Sequence, residues 1–393
     1  MLHNIDDPIP GTVDLLDRLI AFPTVSADPN IALIRFVAGL LERAGAEVTV
    51  IADDTGAKAN LFATIGPRDV PGVMLSGHTD VVPVTGQDWS VPAFEMTEAE
   101  DRYYGRGTTD MKGFVASAVR TALTASRMDL ATPLHLALSY DEEIGCVGVR
   151  SLIDMLAQAP VRPQLCIVGE PTGMQVATGH KGKTAARVTA TGHAAHSALA
   201  PDALNAIHMA CDMIGFIRAL QQELAEEGAR DTDYDVPYTT LHVGRIDGGV
   251  ALNIVPDRAE FLFEIRNLAG DDPAALLARI DAYRVASLAK VRPDFPEADI
   301  EVEITNSYPP LNTDKGSDVA RFVQSLVKSN ATIKVAFGTE GGLFSNRLGV
   351  PTVVCGPGSM AQGHKPDEYI SGDQLALCDT MLDALLERLQ AGL

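Results

Sequence analysis

His78 and Asp80 stand two residues apart in Ser76-Gly-His-Thr-Asp80, directly after the apolar run Val73-Met-Leu75. A strand that presents an imidazole and a carboxylate as it leaves a sheet offers a metal ligand with an acid beside it. Alone, such a pair is ordinary. It gains meaning from Gly105-Arg-Gly-Thr-Thr-Asp110-Met-Lys-Gly, Asp141-Glu-Glu143-Ile-Gly, Gly169-Glu170-Pro-Thr and Gly363-His364-Lys-Pro. Together His78, Asp110, Glu143, Glu170 and His364 form a nitrogen and oxygen donor set without a thiolate, suited to Zn²⁺ or, less selectively, to Co²⁺ or Mn²⁺. Five protein ligands are too many for one catalytic tetrahedron with an open position. They suit two ions roughly 3.5–4 Å apart if one carboxylate bridges both. Adjacent Glu142 and Glu143 cannot both point one way from a strand end. One can ligate while the other takes a proton from activated water and hands it to a leaving amine. The chemistry open to such a set is amide hydrolysis.

These side chains need elements that bring them to one rim. Apolar spacing predicts helices over 12–22 and 30–44, closed by Pro23 and Gly45. Strands are predicted over 46–51, 59–65, 73–75, 134–139 and 164–168, with helices over 111–126 and 151–159 between them. Strand, ligand loop, helix is the grammar of an open α/β sheet whose ligands lie beyond the strands' carboxyl ends. From about residue 182 the order becomes strand 183–191, helix 201–224, strands 239–246 and 258–265, helix 273–289 and strand 300–307. That is βαββαβ, the ferredoxin-like split unit, expected to fold as its own layer. Strands at 333–337 and 350–355 then resume the first pattern, and Ser371-x-x-Gln374 caps a final helix. The fold class expected is a three-layer α/β domain formed by 1–181 and 312–393, with an α+β ferredoxin-like domain inserted at 182–311.

Composition narrows the function. The 393 residues hold 31 Lys plus Arg against 52 Asp plus Glu, a net charge of −21. A field of that sign repels phosphate backbones and anionic headgroups, so no nucleic acid and no membrane is expected as a partner. The five cysteines are scattered, with no C-x-x-C pair. They point to a reducing compartment rather than a disulfide framework. The first eight residues lack a basic start and an apolar segment, and no run reaches the length of a membrane span, so a cytoplasmic location is expected. Gly179-His-Lys-Gly-Lys-Thr184 fails as a phosphate loop because residue 177 is Ala. His135, His208 and His242 lie in apolar segments and read as structural. The chain has no G-x-S-x-G, which leaves serine-based hydrolysis without a nucleophile.

S-G-H-T-D, G-R-G-x-x-D-M-K-G, D-E-E-x-G, G-E-P-T and the late G-H-K-P together resemble the di-zinc metallopeptidase and aminoacylase family. That family includes acetylornithine deacetylase, succinyl-diaminopimelate desuccinylase and glutamate carboxypeptidase. The similarity runs from about residue 10 to the C-terminus. The resemblance implies a bridging Asp110 followed by a cis peptide, His78 and Glu170 on one ion, and Glu143 and His364 on the other. It implies Asp80 as the group orienting His78 and Glu142 as the general base. In the inserted domain, a lid and dimerisation domain in this family, Gly192-His-Ala-Ala-His196-Ser matches a motif whose last histidine reaches the neighbouring subunit's site. Asn253 and Arg266 match substrate-contacting positions, and a His196 that works in the neighbouring subunit's site implies a homodimer. Gly338-Thr-Glu340-Gly is most similar to the loop of members that cleave acetylornithine, where a carboxylate could meet the δ-ammonium. Gly341-Gly342 departs from the Ala-Pro common in those relatives. The activity implied is removal of acetate from a small N-acyl amino acid, N2-acetyl-L-ornithine, on the way to arginine. Another N-acyl amino acid, a succinylated substrate, a dipeptide, or a relative that only binds amino acids are the alternatives.

Overall fold

Leu134–Ser139, Val73–His78, Leu165–Pro171 and Thr352–Gly356 lie side by side in that order and run parallel at the heart of a nine-stranded sheet. The computed structural model of the chain describes residues 8–393. Each of these four strands is buried along its whole length, as a parallel strand covered on both faces must be. Ala59–Ile65 and then Glu47–Ala52 extend the sheet antiparallel on one side, and Val176–His180 lies antiparallel to Thr352–Gly356 on the other. Because the four central strands are parallel, their carboxyl ends share one edge. His78 is in register with Ser139, so the loop carrying Glu142 and Glu143 starts at the level of His78.

Alternate residues of these strands, among them Leu61, Val73, Leu75, Leu136, Ile167 and Val353, join helices Thr12–Ile20, Ile31–Arg43, Gly113–Ala125 and Gly372–Ala391 in one apolar core. Asn60, on the opposite face, donates to Gly148 O and Ser151 Oγ at the start of helix Val149–Gln158. The C-terminal helix is capped as its sequence suggests, with Ser371 Oγ accepting from Gln374 N.

The sequence places a helix over 111–126, whereas the regular helix is Gly113–Ala125. Before it, Thr108–Lys112 form an irregular wide turn in which Asp110 and Met111 leave helical backbone angles, and the Asp110–Met111 peptide is cis. A short sheet of Thr97–Ala99, Arg102–Tyr104 and Tyr369–Ser371 carries no clear alternation and is missed by periodicity.

The chain divides into two compact units. One holds the described residues through His180 together with Leu311–Leu393, the other Lys181–Pro310. The second is a four-stranded antiparallel sheet in the order Thr240–Gly248, Arg258–Arg266, Lys183–Thr191, Asp299–Tyr308. Helices Ala206–Glu227 and Pro273–Val291 cover one face through Met213, Ile217, Leu276 and Ile280, against Val188, Phe261, Phe263 and Ile265. The long helix expected from Pro201 starts at Ala206, because Asn205 caps it by accepting from Ile207 N and His208 N; Pro201 sits in a separate short turn of 3-10 helix. No helix among the described residues is long and apolar enough to cross a membrane. Residues 1–7, read above for a leader, lie outside the described residues.

Candidate metal centre

Asp110 lies at the middle of the rim, with one carboxylate oxygen toward each of two histidines. Its Oδ1 is 3.1 Å from His78 Nε2 and its Oδ2 is 3.1 Å from His364 Nε2. Glu170, next to last in strand Leu165–Pro171, comes within 3.7 Å of the same His78 nitrogen. Glu143 lies 3.0 Å from His364 Nε2. His78, Asp110 and Glu170 make one cluster and Asp110, Glu143 and His364 a second, with all donor atoms of a cluster within 4.8 Å of one another. Asp110 is the residue they share. The structure thus brings together all five side chains that the sequence singles out as ligands.

The electrostatics agree with a cation site. Burial pushes Glu170 well above the usual carboxylate range, and the charge of Asp110 adds to it. Burial and Asp110 likewise push Glu143 up to about 7. Burial would raise Asp110 as well, but its hydrogen bonds to His364 and His78 hold it well below the ordinary value. The Asp110 and Glu143 contacts lift His364 to about 10. Burial would depress His78, but Asp110 and Asp80 outweigh it and hold the ring well above its usual value. Three carboxylates and two imidazoles in so small a volume are stabilised only by positive charge among them. The donor set, nitrogen and oxygen in two clusters with a common carboxylate, fits two divalent ions.

The surrounding residues hold these ligands in place. His78 Nδ1 donates to Asp80 O at 2.9 Å, which directs Nε2 at Asp110, and the Asp80 carboxylate lies 3.4 Å from Nδ1. That carboxylate also accepts from Ser26 Oγ, Glu142 N and Glu143 N. Asp80 therefore fixes both the histidine and the backbone of the Glu142–Glu143 loop. Asp141, at positive φ, accepts from Ala27 N and pairs with Lys58 Nζ at 2.6 Å, anchoring the loop from its other side. Sequence reading gives no role to Ser26, Lys58 or Asp141; only the adjacency of Asp141 to the glutamates hints at one.

Glu142 belongs to neither cluster. Its Oε1 accepts from the Cys146 thiol at 3.3 Å, and burial together with the charge of Glu143 pushes its carboxyl well above the ordinary range despite the opposing effect of His78. Cys146 is a contact that the count of cysteines could not disclose. Glu340 is only 1 % exposed, its Oε2 3.3 Å from Ser76 Oγ, and burial pushes it up to about 7. It sits beneath the strand ends rather than on an open surface.

The remaining sequence candidates lie in the second unit. His196 pairs in a two-residue ladder with Ile254, and Asn253 O accepts from Ser197 N, so His196 and Asn253 are neighbours. Both are exposed, and His196 Nδ1 accepts from Ala198 N. Arg266 ends strand Arg258–Arg266, bonded to Glu264 Oε1 and Tyr308 OH at 3.0 Å each. It lies beside the entry of the chain into the unit, where Thr184 pairs with Ile265. Arg258, at the other end, pairs with Thr191 near the His196 loop. Eight residues of extended chain separate the two ends by ~26 Å, so one copy of this unit does not bring Arg266 and His196 together.

Comparison with known proteins agrees with this geometry. Among solved structures, the M20 family metallo-carboxypeptidase Sso-CP2 from Sulfolobus solfataricus matches with a TM-score of 0.80 over 98% of this chain and 100% of that one, at 18% identity. The Bacillus subtilis YXEP protein, described as a dinuclear metal binding peptidase from the M20 family, matches with a TM-score of 0.67 over 97% and 98% at 14% identity. In sequence, acetylornithine deacetylase of Myxococcus xanthus is 34% identical over 383 residues, 96% of this chain and 97% of the relative. Acetylornithine deacetylase of Pasteurella multocida (strain Pm70) is 30% identical over 393 residues, 98% and 99%. With residues 74–388 also matching its family model, this chain belongs to peptidase family M20/M25/M40 and is a hydrolase of amide bonds.

Proposed function

We propose that this chain hydrolyses N2-acetyl-L-ornithine to acetate and L-ornithine, with two divalent ions, Zn²⁺ or in its place Co²⁺ or Mn²⁺, held by His78, Asp110, Glu143, Glu170 and His364. The observation that carries the catalytic part is the aim of Asp110, one oxygen toward each histidine-carboxylate pair. The substrate comes from the near full-length relatives named acetylornithine deacetylase. Bound there, the ions would supply Lewis acidity toward the amide carbonyl and depress the pKa of water. Glu142, left out of both clusters, takes a proton on its carboxylate and passes it to the nitrogen of the departing amine, so that one water is consumed and an acid and an amine are released. Asp80 holds the imidazole of His78 and the Glu142–Glu143 backbone in position for that transfer.

Arg266 is proposed to hold the substrate carboxylate, for which a planar guanidinium is suited. His196 and Asn253 are proposed to act at the site of a second copy in a homodimer. Two observations support this. Arg266 and His196 stand at opposite ends of one unit, so two copies are needed if both serve a single site. The edge strand Thr240–Gly248 and the neighbouring loops expose Ile246, Val250, Leu252 and Ile254, an apolar surface suited to a self-complementary contact. The lid role of 182–311 and a cytoplasmic location belong to the same reading.

Glu340, buried with its Oε2 3.3 Å from Ser76 Oγ, is proposed to meet the side-chain ammonium of the substrate. The departure at Gly341-Gly342 favours a second reading, in which the same chemistry serves another N-acyl amino acid without a side-chain ammonium. A substrate panel separates the two. N-acetylornithine is expected to be cleaved with a kcat/KM well above those for N-acetylmethionine and N-succinyl-diaminopimelate, and chelator treatment is expected to abolish acetate release. Equal rates on acetylornithine and acetylmethionine would remove ornithine as the preferred amine.

A further inference from the structure

Glu368 and Arg106 are buried together, at 1 % and 0 % side-chain exposure, with Arg106 Nη1 2.6 Å from Glu368 Oε2. The Glu368 carboxylate does more than neutralise a cation. Its Oε1 accepts from Thr109 N at 2.9 Å and Asp110 N at 3.0 Å, and its Oε2 accepts from Gly107 N at 3.1 Å. Gly105 N donates to Glu368 O as well. One carboxylate thus gathers the amides of the turn that ends in Asp110, and Gly107 follows that path at φ 87° with no room for a Cβ against Val81. On its other side Arg106 Nη2 donates to Gln87 Oε1 at 2.5 Å, beneath the Trp89 ring 5.0 Å from the guanidinium carbon. Trp89 Nε1 fixes the same amide oxygen, and Gln87 Nε2 donates to His364 O at 3.2 Å. The loop of Asp110 and the loop of His364 are therefore joined through Glu368, Arg106 and Gln87, none of which is in either ligand cluster.

We infer that Glu368 is a positioning residue for the metal centre: through Arg106 and Gln87 it locks the Asp110 turn and the His364 loop in one register, so that Asp110 can face both clusters. This rests on the reading of Asp110 and His364 as ligands. The carboxylate is required because it accepts from every neighbour and donates to none. In Glu368→Gln an amide nitrogen would face backbone N–H groups or the Arg106 guanidinium, and a buried cation would lose its counter-charge.

The test compares wild type, Glu368→Gln and a destabilised control, Leu385→Ala, which opens the core at a fully buried position of the C-terminal helix. Each is stripped and reloaded with Co²⁺, then examined for ion content, chelator competition, the visible cobalt spectrum and the kcat and KM of acetate release. Glu368→Gln is expected to bind Co²⁺ about 10–100-fold more weakly, as loss of a partner behind metal ligands does, with altered cobalt bands and a kcat that falls far more than KM rises. Leu385→Ala is expected to melt at lower temperature with wild-type affinity and spectrum. Wild-type affinity and spectrum in Glu368→Gln, or equal metal losses in both variants, would overturn the inference. A wild type that binds no ion would instead overturn the ligand reading beneath it. Should Glu368→Gln not fold, Gln87→Ala removes the amide that ties Arg106 and Trp89 to the His364 backbone, leaves the Glu368 contacts to the Asp110 turn in place, and is expected to weaken one of the two ions; unchanged binding of both overturns the inference.

Discussion

At the scale of single residues, the site depends on adjacent glutamates doing different work. Glu143 reaches His364, while Glu142 is left beside the Cys146 thiol with its backbone tied to Asp80. Glu142→Ala is therefore expected to keep two ions per chain yet lose turnover by roughly 10²–10⁴, as measured by metal analysis alongside acetate release. Loss of the ions themselves would make Glu142 a ligand and not a base. Asp80→Ala is expected to behave differently, because it frees both His78 and the glutamate loop: metal affinity and kcat should fall together. The ligand types were legible in the sequence because histidine and carboxylate carry their chemistry in their identity. Their supports were not, since Ser26, Lys58 and Arg106 act through distance and direction that no spacing encodes.

At the scale of elements, four parallel strands with a common carboxyl edge do the positioning, and what lies within them bears on stability. His135 is in register with Thr64 and bonded to its Oγ1, stacked on Phe62, and burial pushes its ring down to about 4. A folded value below the ordinary ~6.5 means that the unfolded chain binds the proton first. Stability from this residue is complete above pH ~6.5 and is lost as the pH falls toward 4, on the order of 3 kcal/mol in all. Denaturant unfolding at pH 7 and pH 4.5 should show a smaller difference in His135→Gln than in wild type; an equal difference would mean that other groups carry the acid sensitivity. Most strands and helices were readable because apolar periodicity reports burial directly. The turn over Thr108–Lys112 was not: its conformation answers to Glu368, some 260 residues away, and not to its neighbours in the chain.

At the scale of the whole molecule, the proposal requires two copies for one complete site. Glu142→Ala and His196→Ala, each inactive alone, should regain about a quarter of wild-type activity when subunits are exchanged, because half of the dimers are mixed and each then holds one complete site. No recovery would place His196 in the service of its own subunit or of none. The oligomer lies beyond what sequence patterning shows, since an exposed Leu252 or Ile246 reads the same on a monomer's surface. All of this depends on Asp110 joining two cations, and anomalous scattering from a zinc-loaded crystal tests that most directly. Two peaks roughly 3.5–4 Å apart, on either side of the Asp110 carboxylate, are the result expected; a single peak, or peaks away from Asp110, would contradict the two-ion centre.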